Sequence, residues 1–292
     1  MLKKPLFKLL LSVGVVVAIA YLAACIYLYR QQGRFIFYPS SVVETTPKAF
    51  NLNFQEVWLP VIAASGRVEK IHGWWIPATT ANAKTLLYLH GNGINIGANA
   101  AHAHRFHQMG FAVLIIDYRG YGRSEGSFPS EENVYQDAAT AWDYLVKQRQ
   151  IQPSNIILYG HSLGGAIAIN LATQHPEAAG LIVDSSFTSI ENVVNTRSQF
   201  SLFPVKLILN QRFESIKKVK FLRMPILFIH GTDDSVIPVS MTKQLYAAAP
   251  KPKQLFIVPN AGHNNTAEIA GVEYFETVEK FVQQIQSSQL RK

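Results

Sequence analysis

Ser162 lies in Gly160-His161-Ser162-Leu163-Gly164, a Gly-x-Ser-x-Gly pattern with Gly165 directly behind it. The apolar run Ile156-Ile157-Leu158-Tyr159 precedes it, and an Ala-, Leu- and Ile-rich stretch follows with no breaker before Pro176. This order predicts strand, sharp turn, helix. A serine hydroxyl is a poor nucleophile at neutral pH, and a tight turn lifts its oxygen to where a base can reach one side and an acyl carbon the other. Two further stretches could complete that chemistry. Phe228-Ile229-His230-Gly231-Thr232-Asp233-Asp234 places two acids just past an apolar run, and Val258-Pro259-Asn260-Ala261-Gly262-His263 places a histidine just past the next. A serine nucleophile needs a base near neutral pKa, and that imidazole needs a carboxylate to fix its tautomer. Asp233, Asp234 and Asp184, at the end of Leu181-Ile182-Val183, are all candidates for the carboxylate.

Acyl transfer also needs donors for a developing oxyanion. The backbone N–H of Leu163, at the predicted helix start, is one, and the loop His90-Gly91-Asn92-Gly93 supplies the second, with Asn92 the first choice and Gly93 the next. Gly91 and Gly93 are expected to let the chain pass close to substrate. His90 is read as bracing its loop, and the charged, glycine-rich loop Asp117 to Gly126 as structural.

The elements that must position these groups are legible as apolar runs without polar alternation at 85–89, 112–116, 156–159, 181–183, 226–229 and 254–258. Such runs are expected of strands covered on both faces. Helical segments are predicted between them at about 94–109, 131–149, 163–175, 239–249 and 267–287, and an edge hairpin at 54–59 and 68–76. Alternating strands and helices imply an α/β fold with a mostly parallel sheet, whose ligands bind beyond the carboxyl ends of the strands. Each motif above falls at such an end. Between residues 185 and 223 the chain is longer than a crossover requires and carries Phe187, Phe200, Leu202, Phe203, Leu207, Ile208 and Leu209, so it either roofs the site as a cap or packs on the sheet as a helix pair. His102, His104 and His107 are read as surface histidines, with no metal site expected.

With 292 residues, 48% apolar and 16% charged, the chain is neither disordered nor long enough for more than one sizeable domain or two small ones. The net charge of +8 draws four positives from Lys3, Lys4, Lys8 and Arg30, and removing these leaves +4, interspersed with negatives. That modest excess suits an anionic membrane surface better than nucleic acid. Residues 9–29 carry no charge, and about 20 apolar residues span a bilayer. The division expected is an N-terminal membrane anchor over 1–34 and one domain over 35–292, opening at Phe35-Ile36-Phe37-Tyr38-Pro39. A cleaved signal sequence is the rival, and Leu22-Ala23-Ala24-Cys25 resembles a lipobox with Cys25, the one cysteine of the chain, as its lipid acceptor. The flanking positives are nearly balanced, and the orientation adopted puts the domain on the extracytoplasmic side.

Taken together, His90 to Gly93, Asp117 to Gly126, Gly160 to Gly165, Gly231 to Pro238 and Gly262-His263-Asn264 resemble the α/β-hydrolase superfamily, specifically its membrane-anchored Bem46-like and serine aminopeptidase S33-type branch. The resemblance covers roughly residues 35 to 287. It implies an α/β-hydrolase fold and the order Ser162, Asp234, His263, because the branch carries its acid three residues after the glycine and four before the proline. It also implies esterase, thioesterase or peptidase activity with no cofactor. Fold does not choose among these activities. A carboxylic ester or thioester is the favoured bond, on a small, lipid-like or protein-borne acyl group that Phe187 would help to bind. Amide hydrolysis and a non-catalytic binding protein are the alternatives.

Overall fold

A computed structural model describes residues 4–81 and 83–289. A long apolar helix, α1 (Lys4–Gln31), leads through the short α2 (Gly33–Ile36) into the domain. None of its residues is fully buried, so it is not a core helix of the domain. Strand β1 (Tyr38–Pro39) later pairs in parallel with β5 (Gly93–Ile94), clipping the N-terminal segment to the predicted oxyanion loop.

The remaining strands are β2 (Gln55–Ile62), β3 (Val68–Ile76), β4 (Thr85–Leu89), β6 (Ala112–Ile116), β7 (Ile156–His161), β8 (Gly180–Asp184), β9 (Ile226–Gly231) and β10 (Lys253–Val258). They form one sheet in the order β10-β9-β8-β7-β4-β6-β3-β2. Only the hairpin strand β3 makes antiparallel pairs, with β2 and with β6. Strands β4, β6, β7, β8 and β9 are buried at every position, which explains their unbroken apolar runs. Helices cover both faces: α3 (Ala100–Gln108) and α11 (Val272–Gln289) on one, α4 (Glu131–Asp143), α5 (Leu163–Gln174) and α9 (Val239–Ala248) on the other.

Three predicted helices differ from expectation. The segment from 94 begins as a strand and a 3-10 turn, because Asn95 uses its side chain to accept from Gly97 N–H and to donate to Ser40 O and Val42 O; α3 starts only at Ala100. The segment from 131 ends as an α-helix at Asp143 and continues as a π-turn to Gln148. The last one breaks at Gly271 (φ 53°), which separates α10 (Thr266–Ala270) from α11.

Between β8 and β9 the chain adopts short pieces: α6 (Ile190–Asn195), a 3-10 turn at Ser198–Phe200, α7 (Val205–Ile208) and α8 (Ser215–Lys218). This segment, the roof, includes Phe187, Val194, Phe200 and Ile208, which line a cavity with Ser162. Its tip rests against α1: the Tyr21 and Phe203 rings stack at 5.9 Å, and the Tyr21 hydroxyl donates to Leu202 O at 2.9 Å. Gln32 anchors the other end, donating to Ile208 O and accepting from the N–H groups of Asn210 and Gln211. Leu202 and Leu207, expected in the roof's inner lining, point outward and are 82% and 83% exposed.

The strand-to-helix turn after β7 is packed closely enough to need glycine at two positions. A Cβ at Gly160 would overlap Gly164 O, and one at Gly164 would overlap Leu89 O, in both cases backbone that cannot move aside. Gly164→Ala is therefore expected to lower unfolding free energy in detergent by about 3 kcal/mol, read from urea titration, whereas a change under about 0.5 kcal/mol would contradict the packing described.

Candidate active site

Ser162 occupies φ 54°, ψ −119°, a conformation that non-glycine residues rarely adopt. Its N–H donates to Asp184 O, and its own carbonyl accepts from Gly165 N–H and from the Ser186 hydroxyl, so the end of β8 and the following helix hold the turn. The side chain is thereby presented at the carboxyl end of β7. His263 arrives from the loop after β10, and its Nε2 lies 2.9 Å from Ser162 Oγ. Its Nδ1 donates to Asp234 Oδ2 at 2.6 Å.

That pattern fixes the tautomer. With Nδ1 protonated, Nε2 is left bare to accept the serine proton. Burial would raise the Asp234 carboxyl, but hydrogen bonds from His230, His263 and the Ile237 N–H, with the His263 charge, hold it well below the usual carboxylate range. Val236 N–H and Ile237 N–H both donate to Asp234 Oδ1 at 2.8 Å, leaving Oδ2 for the histidines.

Of the other candidate acids, Asp184 is buried and receives the hydroxyls of Tyr159, Ser185 and Thr266, a structural knot at the end of β8. Asp233 is exposed and accepts only from the Thr232 hydroxyl among the described residues.

The loop after β4 lies against the serine at Gly91, where a Cβ would come within 3.4 Å of His161 Nδ1 and 3.5 Å of Ser162 Cβ. Asn92 is pinned on three sides: its Nδ2 donates to Ile36 O, and its carbonyl accepts from Tyr121 Oη and Tyr38 N–H. Its own N–H, like that of Leu163 in the first turn of α5, has no protein acceptor among the described residues. Gly93 does not behave as expected. It turns away to pair with Tyr38, and a Cβ there would meet nothing within 4 Å. The approach to the serine is made by Gly91, where a Cβ would stand in ordinary van der Waals contact, and the left-handed backbone falls on Ile94 (φ 63°).

The loop from Asp117 is structural. Arg119 is buried on Asp137 (Nε to Oδ1 2.7 Å), Asp117 Oδ1 accepts from Ile96 N–H, and Tyr118 Oη donates to His90 O. His90 itself is buried with its Nδ1 2.7 Å from Gly91 O, bracing the loop.

Three groups carry no signal in the reading of the sequence. His161, at the x before the serine, donates from Nε2 to His263 O at 2.8 Å and so holds the histidine loop. His230, at the end of β9, lies with Nε2 3.1 Å from Asp234 Oδ2. Their positions, one residue before Ser162 and four before Asp234, are the available clues. The third group is the end of α1. A cavity of about 380 Å³ beside Ser162, Leu163 and Asn92 is walled by Phe187, Val194, Phe200 and Ile208 of the roof, and also by Leu28, Gln32 and Phe35.

These features, a serine on a glycine-only turn between a central parallel strand and a buried helix, define an α/β-hydrolase. Residues 80–216 match the family model described as serine aminopeptidase, S33, and residues 188–291 that of a PhoPQ-activated pathogenicity-related protein. An uncharacterised protein of Mycobacterium tuberculosis is 31% identical over 93% of this chain and 94% of its own length. Protein bem46 of Schizosaccharomyces pombe is 30% identical over 96% of this chain and 95% of its own. An esterase from Pyrococcus furiosus superposes with a TM-score of 0.68 at 20% identity, covering 85% of this chain and 98% of that one. The chain belongs to the Bem46-like α/β-hydrolases.

One expectation about histidines needs correction. His102 is not a surface residue; its half-buried ring packs edge-on against Tyr88 and beside His161. Burial, then Arg105 and His161, pull it down to about 3. Burial likewise lowers His90, and lowers His161 against an opposing pull from Asp184. An imidazole depressed in the fold stabilises it above the unfolded value near 6.5. That stability drains away as pH falls below this, since the unfolded chain takes up protons that the fold refuses. Asp234, also depressed, contributes stability above about 4 that is lost only in stronger acid. The urea midpoint should therefore fall between about pH 7.5 and pH 5, and His102→Phe should flatten the fall. Equal midpoints at both pH values would contradict this.

Proposed function

We propose that this protein is a membrane-anchored serine hydrolase of carboxylic esters or thioesters. Ser162 Oγ attacks the acyl carbonyl while its proton passes to His263 Nε2. Asp234 keeps His263 in the required tautomer and stabilises the imidazolium. The N–H groups of Leu163 and Asn92 receive the oxyanion. As the acyl-to-oxygen or acyl-to-sulfur bond breaks, His263 returns the proton to the leaving group. Water then repeats the sequence on the acyl-enzyme, releasing a carboxylic acid and restoring the serine. The observation that carries this reading is the continuous hydrogen-bonded chain from Asp234 through His263 to Ser162, at 2.6 and 2.9 Å.

An aminopeptidase would need an anion to receive the substrate's free amine. Among the described residues lining the cavity none is acidic, and most are apolar, which favours an acyl chain over an N-terminal amine. A binding protein without catalysis would have no need for a serine held at φ 54° against a correctly oriented imidazole. The anchor reading draws on α1, whose 28 residues are long and apolar enough to cross a bilayer. Signal cleavage, or lipoprotein processing before Cys25, would remove Tyr21, which the roof uses as a partner. We assign the domain to the extracytoplasmic side and take 1–34 as anchor, 35–292 as hydrolase domain and 185–223 as its cap.

The detergent-solubilised chain should hydrolyse p-nitrophenyl acyl esters much faster than aminoacyl p-nitroanilides. Ser162→Ala should lower ester turnover roughly 10⁶-fold and Asp234→Asn roughly 10⁴-fold. Faster anilide cleavage would favour the peptidase, and equal ester rates in wild type and Ser162→Ala would overturn the assignment.

A further inference from the structure

The membrane helix contributes directly to the wall of the candidate acyl cavity. Leu28 of α1, with Gln32 and Phe35 of the segment directly after it, lines it alongside Phe187, Phe200, Phe203 and Ile208, and Ser162 opens into the same space. The roof also descends alongside α1. Tyr21, whose ring and hydroxyl hold Phe203 and Leu202, lies eight residues before Tyr29, where the uncharged stretch ends. At a rise of about 1.5 Å per residue this puts the contact on the order of 10 Å below the last uncharged residue, inside the acyl region of one leaflet. Three observations agree with that depth. The Tyr21 hydroxyl finds its acceptor in the roof, as a hydroxyl surrounded by hydrocarbon must. The roof backbone closes on itself there, with Ser201 N–H on Ser198 O, Phe203 N–H on Phe200 O and Leu207 N–H on Pro204 O. Leu202 and Leu207, more than four-fifths exposed, stand beside this contact uncovered by the described residues.

Resting on the serine-hydrolase reading, we infer that the roof dips into the leaflet and that the cavity is loaded laterally from the bilayer, its substrate being a long-chain acyl ester of a membrane glycerophospholipid. Arg197 is the one charged side chain among the described lining residues, and it makes no ion pair among them. With Arg30 and Arg34 exposed at the end of α1, it provides a cationic rim for the phosphate, while the chain remains in apolar surroundings from bilayer to cavity. The acyl-to-oxygen bond of the lipid breaks at Ser162, lysophospholipid leaves with the proton from His263, and water releases the fatty acid.

The full-length protein in dioleoyl phosphatidylglycerol vesicles should release oleic acid, measured by mass spectrometry, with soluble p-nitrophenyl butyrate as the parallel substrate. Leu202→Glu/Leu207→Glu, at positions that neither line the cavity nor touch the serine, should cut oleate release by about tenfold or more, because a carboxylate is expensive in the acyl region, and leave butyrate turnover unchanged. That unchanged rate also reports correct folding. Equal oleate release by the wild type and the double variant, or butyrate turnover with no oleate release, would overturn the inference while sparing the hydrolase reading. Cleavage of a vesicle-bound S-palmitoyl peptide with the phospholipid untouched would overturn the lipid class. Loss of butyrate turnover in the wild type itself would overturn both readings.

Discussion

Every functional feature of this chain depends on a steric constraint at one turn. β7 ends and α5 begins with so little separation that Gly160, Gly164 and Gly165 are filled by the atoms of Gly164, Leu89 and Ser186. Ser162 takes the left-handed conformation because its neighbours leave the chain no other course, with its N–H on Asp184 O and its carbonyl on Ser186. The strain of a non-glycine residue at φ 54° is sustained by the two fully buried strands on either side. The result is a hydroxyl with fixed direction, in a cavity with two N–H groups that no carbonyl among the described residues uses.

Around that turn, polar groups are arranged by hydrogen bonds between loops that are distant in sequence. His161 holds the backbone of His263, so the turn that presents Ser162 also holds the loop that carries this imidazole. His230 and two backbone N–H groups hold Asp234, so the carboxylate stays ionised and aimed at His263 Nδ1. Tyr38 and Tyr121 hold the carbonyl of Asn92 and orient the peptide that carries its N–H. The N-terminal segment thus reaches the site twice, through β1 at the loop after β4 and through Leu28 of α1 at the cavity wall. This joins the apolar N-terminal helix to the cavity beside Ser162.

The sheet was legible because its strands are covered on both faces, so uninterrupted apolar runs such as Thr85–Leu89 and Ala112–Ile116 coincide with the strands. Ser162, Asp234 and His263 were legible because each follows such a run. Harder to read were the features set by long-range contacts. Gly93 looked like a residue for close approach, yet it is the partner of Tyr38, some 55 positions earlier in sequence. His102 sits on a helix with polar neighbours and no periodic signal of burial, and only Tyr88 and His161 reveal its side. Leu202 and Leu207 share their composition with Phe200 and Phe203 but face outward, because four-residue helices impose no periodicity that a sequence could display. The part of α1 in the cavity wall was invisible for the same reason: hydropathy marks a span without marking what it touches.

The central claim is that Ser162 is the residue made nucleophilic by His263. The most direct measurement is to treat the solubilised full-length chain with a fluorophosphonate, digest it, and locate the adduct by tandem mass spectrometry. The account predicts a single phosphonylated peptide bearing its adduct on Ser162, absent when His263 is replaced by alanine in a chain that still folds. An adduct on another serine, or undiminished labelling of Ser162 without His263, would contradict it.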